Sequence, residues 1–336
     1  MQVRDFDPST ADSTAFGDWL TVLNEMTAED MPDEPRWCDD RIADYLSVTM
    51  PGESRIAWTA YDDEIGVAGH ANLLLFGGDF AHTGVFEIFV RPAARGRGTG
   101  RALLTELAKH AAADGRETIS TEVIATTPAV GFYERLGFAR AVVEQRSLLA
   151  LSSVDWSRIA QQAKQVSAPY RLEYHRGGLP EELHERYATT KANLRTAGPQ
   201  QAGEWRGSSD AVRLRDSLAT LKGRGMRTHM VVAVHEKTEQ VAGLTELVVA
   251  AQRPTRGDQY DTVVAPAHRS YGLALAMKAR MLTELRSAEP QLRDVQTWTA
   301  LENSPLEHVN AQLGFDPDVQ WFEYEAAVPA LLDGLR

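Results

Sequence analysis

A single cysteine, Cys38, rules out an intrachain disulfide and fits a reducing compartment. No apolar run approaches the length of a membrane span. The opening residues Met1-Gln2-Val3-Arg4-Asp5 lack the apolar core of a secretory signal, so a cytoplasmic protein without a membrane partner is expected. Basic charge is also scarce. Lys and Arg number 35 against 47 Asp and Glu, a net charge of -12. That balance argues against a nucleic-acid partner, while leaving room for a local basic pocket that takes an anionic cofactor. His70, His82, His268 and His308 are scattered, and no close Cys/His spacing suggests zinc, so no metal is expected. Cys38 has no identifiable base beside it. What is present is ordinary soluble composition, 43% hydrophobic and 24% charged, over 336 residues, comfortable for two cores.

The most informative stretch is Val90-Arg91-Pro92-Ala93-Ala94-Arg95-Gly96-Arg97-Gly98-Thr99-Gly100-Arg101. The apolar run Gly84–Val90 leads into it, and a helical pattern with Leu103, Leu104, Leu107 and Ala111 follows. Strand, glycine turn and helix follow in that order. Glycines remove side chains where the backbone turns and where a ligand approaches closely. The first helical turn offers unpaired N–H groups to an anion, and Arg95 and Arg97 add charge. The stretch reads as a pyrophosphate cradle, with neither Rossmann nor P-loop spacing.

The chain repeats itself. Val67-Ala68-Gly69 recurs as Val241-Ala242-Gly243, and Glu87 through Pro92 meets Asp261 through Pro266 at the same offset. Arg95 then falls on Arg269, Gly98 on Gly272 and Gly100 on Ala274. Leu136-Gly137-Phe138 recurs as Leu313-Gly314-Phe315. Two copies of one domain are predicted: residues 1–150, a linker over 151–168, and a diverged copy over 169–336. Each alternates strands and helices, an α/β or α+β layered class. Strands are predicted over 55–61, 64–76, 84–91, 118–124 and 141–149, the last closing the first copy. Gly69 marks a bulge or a close backbone approach. In the second copy 198–209 and 251–259 read as loops, the latter beside a possible acceptor pocket.

The Arg95-x-x-Gly98-x-Gly100 loop, the Val90-x-Pro92 before it and Gly131-Phe132-Tyr133-Glu134-Arg135-Leu136-Gly137-Phe138 after it resemble the acyl-CoA-binding signature of the GNAT family of N-acyltransferases. The resemblance implies two tandem domains, each with a mixed, mostly antiparallel sheet flanked by helices. It implies central strands that splay to expose backbone groups to a pantetheine arm, and acetyl-CoA or another acyl-CoA as co-substrate. The cofactor contacts would be Val90, Arg95, Gly96, Arg97, Gly98, Thr99, Gly100 and Arg101. Helices near residues 1–50 would line the acceptor site, where acidic residues either face an amine or form a solvated face.

Acyl transfer to an amine needs a neutral nucleophile, a donor to the carbonyl oxygen and a proton for the leaving thiolate. Glu87, on the central strand, is a candidate base, or else a polar strand position satisfied by a neighbour. Alternation puts Glu87 and Phe89 opposite Phe86 and Ile88. Tyr133 resembles the family's general acid, or is a tyrosine whose ring packs.

The second copy departs from the pattern. Ser270, Tyr271, Leu273 and Ala274 replace Gly96, Arg97, Thr99 and Gly100, while Arg269 and Gly272 remain. A second cradle over Val264, Arg269, Ser270, Tyr271, Gly272, Leu273, Ala274 and Asn303 is possible. Glu246 and Asp261 are alternative bases there, and Asn310 stands where Tyr133 does. Trp298, Asn303 and Asn310 resemble the second domain of tandem acyltransferases of the mycothiol synthase type, in which that domain is the catalytic one. Motif completeness favours the first copy, and the tandem resemblance favours the second. The expected activity is direct transfer of an acetyl or short acyl group to an amine, with a small molecule as partner. The alternative is a non-catalytic acyl-CoA-binding module. The acceptor pocket is set by loops rather than motifs, and the sequence does not fix acyl length or oligomeric state.

Overall fold

The computed structural model describes residues 1–166, 168–193 and 211–336. In chain order the first elements are β1 (Gln2–Phe6), α1 (Ser13–Asp30), α2 (Asp39–Ser47), β2 (Glu53–Asp62), β3 (Gly66–Phe76) and β4 (Thr83–Val90). Then come α3 (Thr99–Ala113), β5 (Thr118–Ile124), α4 (Ala129–Arg135) and β6 (Ala139–Ala150). The chain continues with α5 (Trp156–Gln162), β7 (Tyr170–Arg176), α6 (Glu181–Lys191), α7 (Ala211–Gly223), β8 (Met226–His235), β9 (Val241–Ala250) and β10 (Arg256–Val264). It ends with α8 (Leu273–Ala288), β11 (Asp294–Ala300), α9 (Ser304–Leu313), β12 (Asp316–Ala327) and α10 (Val328–Leu335).

Two compact units form. The first holds residues 1–142 and 321–336; the second holds 143–193 and 211–320 among the described residues. The first sheet runs β1-β2-β3-β4-β5 and is completed by residues 321–327 of β12, paired antiparallel to β5. The second runs β7-β8-β9-β10-β11 and is completed by residues 144–150 of β6, antiparallel to β11. Among the described residues β4–β5 and β10–β11 pair in parallel. The strand predicted over 141–149 therefore forms, but its pairing through Leu149 and Ser147 is with β11, not with a strand of the first copy. Strand periodicity records which face is buried and not which neighbour is chosen. Residues Arg256–Gln259, read as loop, are strand. Their charges are paired there, Arg256 with Asp294 and Asp258 with Arg253. Residues 198–209 lie outside the described residues.

In the first unit Trp19, Leu23, Ile42 and Leu46 of α1 and α2 cover one sheet face, with Ala57 and Phe89. Leu103, Leu104, Leu107 and Ala111 of α3 cover the other, against Phe86, Leu73 and Ile119. Helical and strand periods thus agree on the inside. Gly69 is obligatory, since a Cβ there would lie 2.6 Å from the Phe89 carbonyl oxygen. The register of β2 on β3 shifts beside it, between Ala60 and Tyr61. Gly243 repeats the device: its Cβ would stand 3.1 Å from the Val263 carbonyl, and β8 shifts against β9 between Ala233 and Val234. Among the described residues no helix is long and apolar enough to cross a membrane.

The helix α10 has no counterpart among the expected elements. Its Leu331 and Leu335, with Tyr324 and Val328, complete the first unit's core. Residues 1–150 expressed alone are therefore expected to lack a cooperative thermal melt, and adding 316–336 as a fused segment is expected to restore one. A cooperative melt of 1–150 alone would contradict this.

Candidate active site

The two copies build the same turn. In the first unit a short 3₁₀ turn at Pro92–Ala94 leads to Gly96 and Gly98, with φ of 75° and 88°. Gly98 starts α3, which has no side-chain cap and no acidic residue in its first turn. Its amide groups are thus open to an anion. In the second unit the turn at Pro266–His268 leads to Ser270 and Gly272, with φ of 68° and 71°, and α8 is likewise uncapped by any side chain. Ser270 adopts the left-handed conformation a glycine takes more easily. Alanine for Gly100 is sterically mild, because the nearest atom to a Cβ there is Phe132 Cζ at 3.5 Å.

Beside each turn the parallel strands part. The β4–β5 register lasts only from Thr83–Thr118 to Val85–Ser120. The β10–β11 register lasts from Arg256–Asp294 to Gln259–Thr297. Beyond those points the facing edges of β4 and β10 leave the ladder, and their backbone groups are available to a ligand.

The candidate arginines do not all point into the cradle. Arg95 makes a two-pronged bond to Asp30 at the end of α1, at 2.9 and 2.5 Å. Arg91 does the same with Glu25, at 2.7 and 2.6 Å. Arg97 meets Glu64 in an exposed pair, and Arg101 donates to the Gly334 carbonyl. The acidic residues of α1 thus hold the loop's arginines. Thr99 is buried and donates to the Ala94 carbonyl, tightening the turn. Val90 stays paired opposite Gly69. In the second unit Arg269 donates to the Val264 carbonyl, Tyr271 is exposed, and Asn303 precedes α9 as its cap residue without a capping side-chain bond.

Glu87 lies two residues beyond the last β4–β5 pair. Its Oε2 accepts from the Tyr45 hydroxyl and, at 3.1 Å, from Asn72 Nδ2. Among the described residues Oε1 has no partner. Arg55 donates to Asn72 and lies over the Tyr45 ring. Burial, reinforced by the Glu87 charge, holds the Tyr45 hydroxyl well above its ordinary range, so Tyr45 stays a donor. Glu87 is on the α1/α2 face, as alternation predicts. Tyr133 is on the other face, 4% exposed, with its ring 5.9 Å from Phe86 and 5.1 Å from Phe138. Burial raises its hydroxyl above the usual range, opposed by a hydrogen bond with Thr121 of β5. Glu87 and Tyr133 therefore flank the gap from opposite faces.

The second unit differs. Glu246 is 3% exposed and is claimed by Lys191 Nζ at 2.9 and 2.8 Å and by the Tyr187 hydroxyl. Lys191 also sits 3.0 Å from Asp261. Burial lowers Lys191, but the two carboxylates outweigh it and keep it an ammonium. Burial raises Glu246 against the pull of Lys191. A shallow cleft that opens to solvent is lined by Leu221, Met230, Glu246 and Tyr260.

Sequence reasoning missed Tyr45 as the partner of Glu87, and it also missed a buried lysine. Lys278 of α8 is 1% exposed, donates to Asn310 Oδ1 and lies 5.0 Å from the Phe315 ring centre. Asn310 in turn donates to Thr299 at 3.1 Å. Among the described residues no carboxylate pairs with Lys278. The signal was present, because the repeat offset carries Leu104 onto Lys278. Burial pulls the ammonium down to about 7. The folded value then lies below the unfolded value of about 10.4, so folding releases a proton between them. Stability is lowest below about pH 7 and rises as pH climbs towards about 10. In Lys278→Met the stability difference from wild type, read as urea midpoints, is expected to favour the variant most near pH 6 and to narrow towards pH 10. A difference constant across that range would show that Lys278 is not a buried titrating group.

Residues 19–138 match the acetyltransferase (GNAT) family. The chain is 28% identical over 275 residues to a mycothiol acetyltransferase of Nocardia farcinica (strain IFM 10152), covering 81% of this chain and 82% of the relative. Among solved structures it is similar to a tandem GNAT protein from the clavulanic acid biosynthesis pathway, with a TM-score of 0.81, 25% identity, and 97% and 98% of the two chains covered. A GCN5-related N-acetyltransferase from Sphaerobacter thermophilus shares the fold, with a TM-score of 0.68, 13% identity, and 97% and 95% coverage.

Proposed function

We propose that this chain, a tandem GNAT-family protein, transfers an acetyl or short acyl group from acyl-CoA to the amine of a small molecule, and that the first unit does the chemistry. The observation that carries this is the pairing across the β4–β5 gap. Glu87 stands on one face, held by two neutral donors, and Tyr133 stands on the other. A carboxylate bonded only by neutral donors keeps its charge available for a proton; one clasped by Lys191, as Glu246 is, does not.

The cradle at Gly96–Gly100 seats the pyrophosphate, and the pantetheine arm enters the gap. The substrate's ammonium approaches from the α1/α2 face and gives a proton to Glu87, directly or through water. The neutral nitrogen then attacks the thioester carbon and loses its second proton to solvent as the amide forms. A freed backbone N–H of β4 receives the developing oxyanion. As the C–S bond breaks, Tyr133 donates a hydrogen bond to the thiolate. Because burial raises the phenol, full proton transfer follows when solvent returns. Direct transfer in a ternary complex needs no acyl-enzyme. A small amine is favoured by the net charge of -12, and the relative and the neighbour are both named for small-molecule metabolism. The second cradle also seats a coenzyme A, but its carboxylates are neutralised and Asn310 replaces the phenol, which supports a binding role without turnover there.

Glu87→Gln and Tyr133→Phe are each expected to lower kcat about 100-fold on a responding amine, with acetyl-CoA affinity within about twofold of wild type. Normal turnover in both variants would place the chemistry elsewhere.

A further inference from the structure

We infer that the second unit is a site for coenzyme A with its sulfur free, in which the Lys278 ammonium pairs with the thiolate. The inference rests on the reading that the 269–274 turn seats the cofactor. It extends that reading from where the pyrophosphate sits to which form of the cofactor is held.

A charge stands in the wrong place. Lysine is among the residues least often buried, and when buried it is normally paired with a carboxylate. Lys278 is buried with one amide oxygen and one aromatic face as its partners. An ammonium has three N–H donors, so its hydrogen-bonding capacity is not filled by Asn310 alone. The same position in the first unit, Leu104, is apolar and packs in the core.

The location identifies the missing partner. Lys278 is in the second turn of α8, the helix whose uncapped N-terminus follows Ser270 and Gly272. Its hydrogen-bonded neighbour Asn310 reaches Thr299, two residues past Thr297, the last β11 residue paired with β10. The amine is therefore tied to the mouth of the second strand gap. A cofactor anchored at the turn delivers its sulfur to that gap.

Two features select the thiol over the thioester. A thioester brings no charge, whereas a thiolate supplies the anion that a buried ammonium lacks. On the opposite face Glu246 and Asp261 are bound to Lys191, so neither carboxylate is free to activate an amine against an acyl group. The step is a proton transfer alone: the S–H proton passes to Lys278 when it is the neutral amine, or to solvent when it is already an ammonium, and either way a thiolate faces an ammonium. Bound coenzyme A would thereby report on the product of the first unit's reaction.

The test uses the full chain carrying Gly98→Trp, which blocks the first cradle, titrated calorimetrically with coenzyme A, acetyl-CoA and desulfo-coenzyme A. Coenzyme A is expected to bind at least about tenfold more tightly than either of the others. Adding Lys278→Met is expected to erase that preference while leaving acetyl-CoA affinity within about twofold. Equal affinity for coenzyme A and desulfo-coenzyme A, a comparison that needs no second substitution, would overturn the inference. So would a preference that survives Lys278→Met in a sample that melts cooperatively. Absence of all binding to the Gly98→Trp chain would remove the second cradle itself, and the inference with it, while leaving the first unit's chemistry standing.

Discussion

A parallel strand pair that holds together for three residues and then parts is the constraint on which the first unit depends. Backbone groups cannot be left unpaired in a protein interior, so a gap in a sheet persists only where something else satisfies it. Here the gap opens beside a left-handed glycine turn and an uncapped helix. The same three parts recur in the second unit. Gly69 and Gly243 set up the geometry from the other side, by letting β4 and β10 approach closer than any side chain would allow. The arginines after β4 hold the turn rather than the ligand, through Glu25 and Asp30 of α1. With the arginines so engaged, the turn's free donors are chiefly backbone amides, which explains how the second turn keeps its form after losing Gly96, Arg97 and Gly100.

The two units share a frame and differ in how each treats buried charge. In the first, a carboxylate is presented to the gap by neutral donors and a phenol lies behind it in an apolar core. In the second, the carboxylates are matched to Lys191 within hydrogen-bond distance, and the apolar core behind the gap receives Lys278. A buried ion pair is at best weakly stabilising, and a buried lone ammonium is destabilising. Neither is a drift that core packing would favour. Both fit a division of roles in which the first unit moves a proton from an amine and the second holds an anion.

Much of this was legible beforehand. The turn, the repeat, the role of Gly69 and the faces of Glu87 and Phe86 follow from spacing and alternation, because those are local rules. The exchange of β6 and β12 was not legible. A strand with its apolar side inward looks the same whichever sheet it joins, and only tertiary packing selects the neighbour. The strand at Arg256–Gln259 was hidden by its polarity, since its charges are satisfied by partners remote in sequence, such as Asp294. Tyr45 was invisible as a partner of Glu87, being 42 residues away on a helix that could present any face. Lys278 was masked by the expectation that a lysine in a helix is solvated.

The central claim is that the acyl group is transferred in the β4–β5 gap between Glu87 and Tyr133. A crystal structure of the chain with acetyl-CoA tests it most directly. The account predicts a pantetheine arm in that gap, with its sulfur within hydrogen-bond reach of the Tyr133 hydroxyl and the thioester carbonyl on a backbone N–H of β4. A cofactor found only at the second turn, or a sulfur lying outside the first gap, would contradict it.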